Sequence, residues 1–378
     1  MKILTVIGAR PQIIKSAAIS SKIAEAYRDE IKEVVVHTGQ HYDAGMSDKF
    51  FTELRIPVPQ YNLEVGSGNH GKQTGIMLQK LEEVMEREKP DVVLIYGDTN
   101  STLAAAVAAS KMHIPVAHIE AGMRSFNKSM PEELNRVLSD HSSTFLFCPT
   151  DEAVKNLKNE GFLGCESHPN LDCPHVSNVG DIMYDNALRY GNSTQSARTF
   201  SGEKFEPGTF MISTVHRASN TQNADQVEGI LTAINKAGDE HQLKVILPIH
   251  PRTRAILGDR ADSEEWRSKF EFICFTEPLG YTDILWCLNH GKLAITDSGG
   301  LQKEAAFFNT PSVVLRSETE WVELVEFGLV MLSDSDEGSI KSSVQEQLKS
   351  EAKLPENYYG DGNASGRILD TLVAWFNA

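Results

Sequence analysis

Five stretches of this chain combine residue types that can do chemistry, and each follows directly on a Val/Ile/Leu-rich run. Asp98 in Gly97-Asp98-Thr99 and Glu120 in His118-Ile119-Glu120-Ala121-Gly122 are carboxylates where a strand should end, the place an acid or base would occupy. Asp98 also suits a plain N-cap of the helix that follows. Glu120, between Ile and Ala-Gly, has no capping pattern to explain it. Glu132 and Glu133 open a helix after Pro131, where the helix dipole alone favours each by about 0.3–1 kcal/mol. His216 and Arg217 pair a proton carrier with an anion partner, unless they are an ordinary exposed loop. Gly8 through Lys15 sets Arg10 and Lys15 beside a glycine turn, a pattern open to an anionic ligand or to a helix with solvated charges, with Pro11 suited to the first helical turn.

The stretch Thr296-Asp297-Ser298-Gly299-Gly300-Leu301-Gln302-Lys303-Glu304 says most. Its two glycines let backbone approach a ligand closely, and free N–H groups at a helix start suit a diphosphate. Glu304, further along that helix, could accept hydrogen bonds from two ribose hydroxyls. No GxGxxG follows the first strand, and the phosphate-type loop lies in the second half, which argues against a standard dinucleotide domain.

These stretches need elements to position them. Near-continuous apolar runs at 2–7, 33–37, 91–96, 115–119 and 144–148 read as parallel strands covered on both faces, with amphipathic helices between them. A second series at 209–214, 244–249, 270–275, 292–296, 312–315 and 329–332 repeats the pattern. Two successive βα series predict an α/β protein of two Rossmann-like doubly wound domains. The expected domains are 1–170 and 178–363, divided near 163–180, where Gly, Pro, Asn and Ser concentrate. Such sheets bind ligands beyond the C-terminal ends of their strands, so a cleft between two of them is the expected site.

Composition narrows the partners. At 378 residues the chain exceeds one ordinary core. A formal charge of −16 argues against nucleic acid or an anionic membrane as main partner. No apolar run reaches the roughly 20 residues needed to span a bilayer. The start MKILTVIGARPQ reads as a first strand rather than a signal peptide. Five scattered cysteines fit a reduced, cytoplasmic protein. The segment Cys165…His168…Cys173…His175 lacks standard zinc spacing and reads as a hinge loop, so no metal is expected there.

Taken in order, GARPQIIK, TGQH at 38–41, GDTNST, HIEAGMRS, MPEELNRVLSDH, His216-Arg217, PIHPRT, TDSGGLQKEA and YGDGNASGRIL resemble the non-hydrolysing UDP-N-acetylglucosamine 2-epimerase family over nearly the whole chain. The resemblance implies the glycosyltransferase-B type fold, a homodimer, and a last helix (364–378) that packs back on the first domain. It implies interconversion of UDP-GlcNAc and UDP-ManNAc for surface polysaccharide, through elimination of UDP to a glycal and its re-addition, with no cofactor. Asp98, Glu120, Glu132 and His216 match the family's catalytic set. Arg10, Lys15, His216, Arg217, Ser298, Gly299, Gly300, Glu304 and Arg316 match residues placed to bind the UDP-sugar. Gln40 and His41 match a loop beside which many bacterial members hold a second, activating substrate molecule. Two departures stand out. Gln12 replaces a common Glu, and Arg316 is followed by SETEWVE rather than a TERPE-type sequence. They resemble the branch acting on UDP-2,3-diacetamido-2,3-dideoxyglucuronate. A glycosyltransferase of the same fold is the further alternative.

Overall fold

The computed structural model describes residues 1–40, 51–165, 168–191 and 196–378. Two compact units result. One comprises Met1–Asn186 with Asn357–Ala378, the other Ala187–Glu356.

The first unit is built on β1 (Lys2–Ile7), β2 (Lys32–His37), β3 (Tyr61–Asn62), β4 (Val92–Tyr96), β5 (Val116–Ile119), β6 (Phe145–Cys148) and β7 (His175–Asn178). They form one sheet in the order β3-β2-β1-β4-β5-β6-β7, with every pairing parallel. All five residues of β4 are buried, as a strand covered on both faces requires. The helix Asn100–Lys111 packs against β1 and β4, and its run of buried alanines permits the close approach. The C-terminal helix Ala364–Phe376 belongs to this unit. The Asp185 carboxylate accepts hydrogen bonds from Ala364 N–H, Ser365 N–H and Ser365 Oγ at 3.0, 2.8 and 2.7 Å, holding the helix start. Tyr27 donates to Asp370 at 2.6 Å, and Trp375 meets Phe145 edge-on.

The second unit opens with an antiparallel hairpin, β8 (Arg198–Phe200) and β9 (Glu203–Phe205). Its sheet comprises β10 (Phe210–Thr214), β11 (Lys244–Pro248), β12 (Ile273–Thr276), β13 (Ala294–Thr296), β14 (Ser312–Val314) and β15 (Val330–Leu332), ordered β12-β11-β10-β13-β14-β15 and parallel throughout. Both sheets therefore reverse direction of growth beside their first strand, at β1/β4 and at β10/β13. Those switch points are where doubly wound sheets bind ligands.

The elements differ from the sequence expectations at the sheet edges. The stretch 163–180 contains β7, whose polar His-Val-Ser-Asn sequence has no apolar run because the strand is only partly buried. The two-residue β3, the short hairpin, and the helices Ile182–Gly191, Pro251–Leu257 and Glu264–Arg267 carry too little periodicity to read. Among the described residues no helix is long and apolar enough to cross a membrane, and the five cysteines are unbridged.

Candidate active site

In the first unit the chemistry-bearing residues gather beyond β1, β4 and β5. After β1, a Cβ on Gly8 would lie 2.1 Å from Ser101 Oγ and 2.2 Å from Thr38 Oγ1, so only glycine fits this turn. The helix Arg10–Ala26 starts there, with Pro11 in its first turn. Gln12 is buried, and its amide is fully engaged. Its Oε1 accepts from Gly8 N–H at 2.9 Å and Ala9 N–H at 3.2 Å, while Nε2 donates to Tyr96 O at 2.9 Å and Thr102 Oγ1 at 3.0 Å. A carboxylate could not donate to the Tyr96 carbonyl, which gives the Gln12 departure a structural reason. Arg10 is exposed. Lys15 is half-buried and forms an ion pair with Glu120.

After β4, Gly97 has φ +61° and Asp98 forms an ion pair with Arg136. The N-cap of the next helix is Thr99, whose hydroxyl accepts from Thr102 N–H at 3.3 Å, so capping does not account for Asp98. After β5, Glu120 itself has φ +71°. A non-glycine residue in the left-handed region costs about 1–3 kcal/mol and marks a position where the surroundings dictate the backbone. Glu120 N–H and Ala121 N–H both donate to Phe147 O at 3.1 Å, tying the turn to β6.

Behind these carboxylates lies a sealed network. His118 Nδ1 is 2.7 Å from Asp140 Oδ1 and its Nε2 is 2.7 Å from Gly97 O, so each ring nitrogen faces an oxygen. Asp140 also accepts from Arg124 at 2.7 Å and Gly122 N–H at 3.2 Å. Burial alone would raise the Asp140 carboxyl, but His118 and Arg124 hold it below the usual carboxylate range. The helix Pro131–Asp140 separates its two first-turn acids. Glu132 is exposed, whereas Glu133 is buried and accepts from Ser125 N–H, Ser125 Oγ and Phe126 N–H, each at 2.9 Å. Burial pushes the Glu133 carboxyl up, and those donors, with Arg136, bring it below its ordinary value.

In the second unit, the residue after β13 organises the site. Asp297 is fully buried. One of its carboxylate oxygens accepts from His216 N–H and Arg217 N–H at 2.8 Å and from Asn220 Nδ2 at 3.2 Å, and the other lies 2.8 Å from His216 Nδ1. Burial opposes ionisation of Asp297, but the His216 ring and the two N–H groups hold its carboxyl below the usual range. With Nδ1 facing a carboxylate oxygen, Nε2 is the nitrogen left to face a ligand. The His216 side chain is 31% exposed, stacked obliquely near His250 at 4.8 Å. Arg217 is exposed beside it.

Directly after Asp297, Ser298 and Gly299 are half-buried and Gly300 is exposed, opening the helix Gly299–Phe307. A Cβ on Gly300 would have nothing within 4 Å, so the backbone there is open to a ligand. Glu304 is half-buried on that helix. Arg316, after β14, bonds Glu320 at 2.8 Å.

The structure thus brings Lys15 to Glu120, and His216 to the residue that begins the phosphate-type loop. Gln40 is buried in the first unit, where its Oε1 accepts from Ser101 N–H and Ser101 Oγ at 3.1 and 2.7 Å. His41 lies outside the described residues. The neighbouring Cys165 thiol pushes the Cys173 thiol up, and His175 Nε2 meets Ser177 Oγ at 3.0 Å. Among the described residues no cluster of His, Cys, Asp or Glu is arranged to hold a metal ion. Sequence reasoning missed Asp297, Asp140 and Arg136 as organising groups. Their partners lie far along the chain, and no local pattern signals them.

The family model described as UDP-N-acetylglucosamine 2-epimerase matches residues 24–373. A UDP-2,3-diacetamido-2,3-dideoxy-D-glucuronate 2-epimerase from Pseudomonas aeruginosa is 46% identical over 99% of each chain. A UDP-N-acetylglucosamine 2-epimerase homolog from Methanococcus maripaludis is 44% identical over 98% of this chain and 99% of its own. Among solved structures, the Methanocaldococcus jannaschii UDP-GlcNAc 2-epimerase in complex with UDP-GlcNAc and UDP superposes with a TM-score of 0.77, at 35% identity and covering 99% of this chain and 100% of that one.

Proposed function

The chain belongs to the UDP-N-acetylglucosamine 2-epimerase family, and we propose that it inverts carbon 2 of a UDP-linked 2-acetamido sugar, using UDP-GlcNAc and UDP-ManNAc as the interconverted pair. It is an isomerase of glycosyltransferase-B type fold. The C2 proton of such a sugar is barely acidic, so C1–O cleavage leads and positive charge grows on the ring. The C1–O electron pair leaves with UDP. A base takes the C2 proton, and the C2–H pair becomes the C1=C2 bond of a glycal. Return of a proton to the opposite face of C2 and of UDP to C1 completes the inversion.

Each assigned residue has a part in that scheme. Asp98, Glu120 and Glu132 supply the carboxylates that stabilise the ring cation and exchange protons at the two faces of C2. His216 is a further proton carrier through Nε2. Ser298, Gly299 and Gly300 take the diphosphate, with Arg10, Lys15, Arg217 and Arg316 as its cationic partners, and Glu304 takes the ribose. The observation that carries the reading is Asp297. It pins the His216 ring and immediately precedes the phosphate-type loop, so one buried carboxylate orders both a proton carrier and a leaving-group site.

A second reading, UDP-2,3-diacetamido-2,3-dideoxyglucuronate as substrate, is favoured by the 46% identity to an epimerase of that name and by the Glu318-Thr319-Glu320-Trp321 sequence. Proton NMR of the enzyme with each UDP-sugar in turn separates the two. A UDP-ManNAc signal growing from UDP-GlcNAc supports the first reading. Turnover of the diacetamido-uronate alone supports the second, and turnover of neither overturns the proposal. The reading includes a homodimer, supported by the exposed apolar side chains of Phe126, Met130, Leu134 and Leu138. It also includes a cytoplasmic location, in keeping with five unbridged cysteines.

A further inference from the structure

The Thr319-Glu320-Trp321 segment does not stand apart from the phosphate-type loop. It wraps the first turn of the helix that carries it. Trp321 Nε1 donates to Gly299 O at 2.8 Å. Thr319 Oγ1 donates to Gln302 Oε1 at 2.6 Å, and Gln302 Nε2 donates to Ser298 O at 3.2 Å. Trp321 N–H in turn donates to Thr319 Oγ1 at 3.2 Å, which joins the two braces. The Trp321 ring is fixed from its face by the Lys303 ammonium, 4.6 Å from the ring centroid, and Lys303 is only 6% exposed. Glu320 fills the space beside Gly299, where a Cβ would clash with its Oε1.

These contacts fall on two carbonyls, and peptide planarity passes them on to two donors. The Ser298 carbonyl and the Gly299 N–H share one peptide plane, and the Gly299 carbonyl and the Gly300 N–H share the next. Holding each carbonyl therefore aims the N–H on the other side of its plane. Consecutive glycines are the residues least able to hold such an orientation alone. An anion site acts most strongly when its donors are already oriented before charge develops.

We propose that Trp321 is a positioning residue for the diphosphate. Through Gly299 O it aims the Gly300 N–H, while Thr319 and Gln302 do the same for the Gly299 N–H through Ser298 O. This inference rests on the reading of Ser298–Gly300 as the diphosphate site and goes beyond it by naming what orients the donors. It also gives the ETEW departure a task in leaving-group binding rather than in contact with the sugar.

The test compares UDP with uridine, which lacks the phosphates, by calorimetry on the full-length enzyme. Trp321→Phe keeps a ring for Lys303 and removes the N–H. UDP affinity should fall about tenfold, the scale of one hydrogen bond to a charged ligand, while uridine affinity stays the same. The kcat should fall along with it, because charge on the diphosphate is greatest when the C1–O bond breaks. Thr319→Val, nearly the same shape, should lower the UDP-to-uridine ratio in the same direction and decides the matter should Trp321→Phe fail to fold. A ratio unchanged from wild type in the folded variants, or a parallel fall for uridine and UDP, overturns the positioning role. A wild-type enzyme that binds UDP no more tightly than uridine contradicts instead the underlying assignment of the loop.

Discussion

Each unit of this protein contains a histidine whose Nδ1 faces a fully buried aspartate, and the two pairs differ at the outer ring nitrogen. His118 and Asp140 in the first unit are 2.7 Å apart, and both are inaccessible. His216 and Asp297 in the second are 2.8 Å apart, but the His216 side chain is 31% exposed. The difference lies at Nε2. That of His118 bonds the Gly97 carbonyl, so the ring ties β5 to the turn carrying Asp98. Among the described residues nothing hydrogen-bonds Nε2 of His216. On the proposed reading, the dyad is a structural strut where its outer nitrogen is occupied and a proton carrier where it is open. Pairing with an aspartate is then no sign of catalysis by itself.

The largest expected effect breaks that comparison directly. His216→Asn should lower kcat by about a thousandfold, within the usual range for a general acid or base, and leave UDP binding within about twofold in calorimetry. His118→Asn should instead lower the unfolding midpoint and change kcat of the folded fraction by less than about tenfold. If the two variants exchange these outcomes, the assignment of the dyads is reversed.

Next in size is Asp140. Asp140→Ala removes a buried acceptor shared by His118 and Arg124, which keep Gly97 O and Glu160, so chemical denaturation should show a loss of about 1–3 kcal/mol. The pair Glu132 and Glu133 sharpens the same lesson at lower cost. Glu133→Gln loses acceptor capacity toward Ser125 and Phe126 and should reduce stability by about 1–2 kcal/mol, visible in urea midpoints. Glu132→Gln should leave stability within about 0.5 kcal/mol and lower turnover by at least about tenfold. Unaltered turnover would remove Glu132 from the catalytic set.

The smallest effect concerns pH. Burial pushes the His37 imidazole down to about 4 from an ordinary value of about 6.5, and its Nδ1 accepts from Gly39 N–H at 3.0 Å, a bond open to the neutral ring. Between those values the unfolded chain binds a proton that the folded chain refuses. The contribution is thus fully present above about pH 6.5 and is lost as pH falls toward about 4. Urea midpoints at about pH 7 and about pH 5 should differ less in His37→Gln than in wild type.

Much of this was legible because the strands are parallel and covered. Val92–Tyr96 or Phe210–Thr214 is a near-continuous apolar run, and a carboxylate or glycine at its end stands out. The segment His175–Asn178 was not legible because that strand is only partly buried and needs no apolar run. Asp98 reads equally as a cap or as a functional acid in the sequence, and the structure places the cap at Thr99. Asp297 sits in a motif that was read for its glycines, yet its partners are His216, Arg217 and Asn220 on another strand's loop. Trp321 likewise bonds a carbonyl 22 residues away. Sequence patterns report neighbours along a strand or helix, and these groups act across them.

The central claim is that UDP leaves C1 as the C2 proton is lost to a protein base and is replaced on the opposite face. Incubation with UDP-GlcNAc, or with the diacetamido-uronate if that is the sugar turned over, in heavy water tests it most directly. The account predicts deuterium at C2 of both epimers at equilibrium, with free UDP and a glycal accumulating slowly. Epimerised product that retains its original hydrogen at C2 would contradict it.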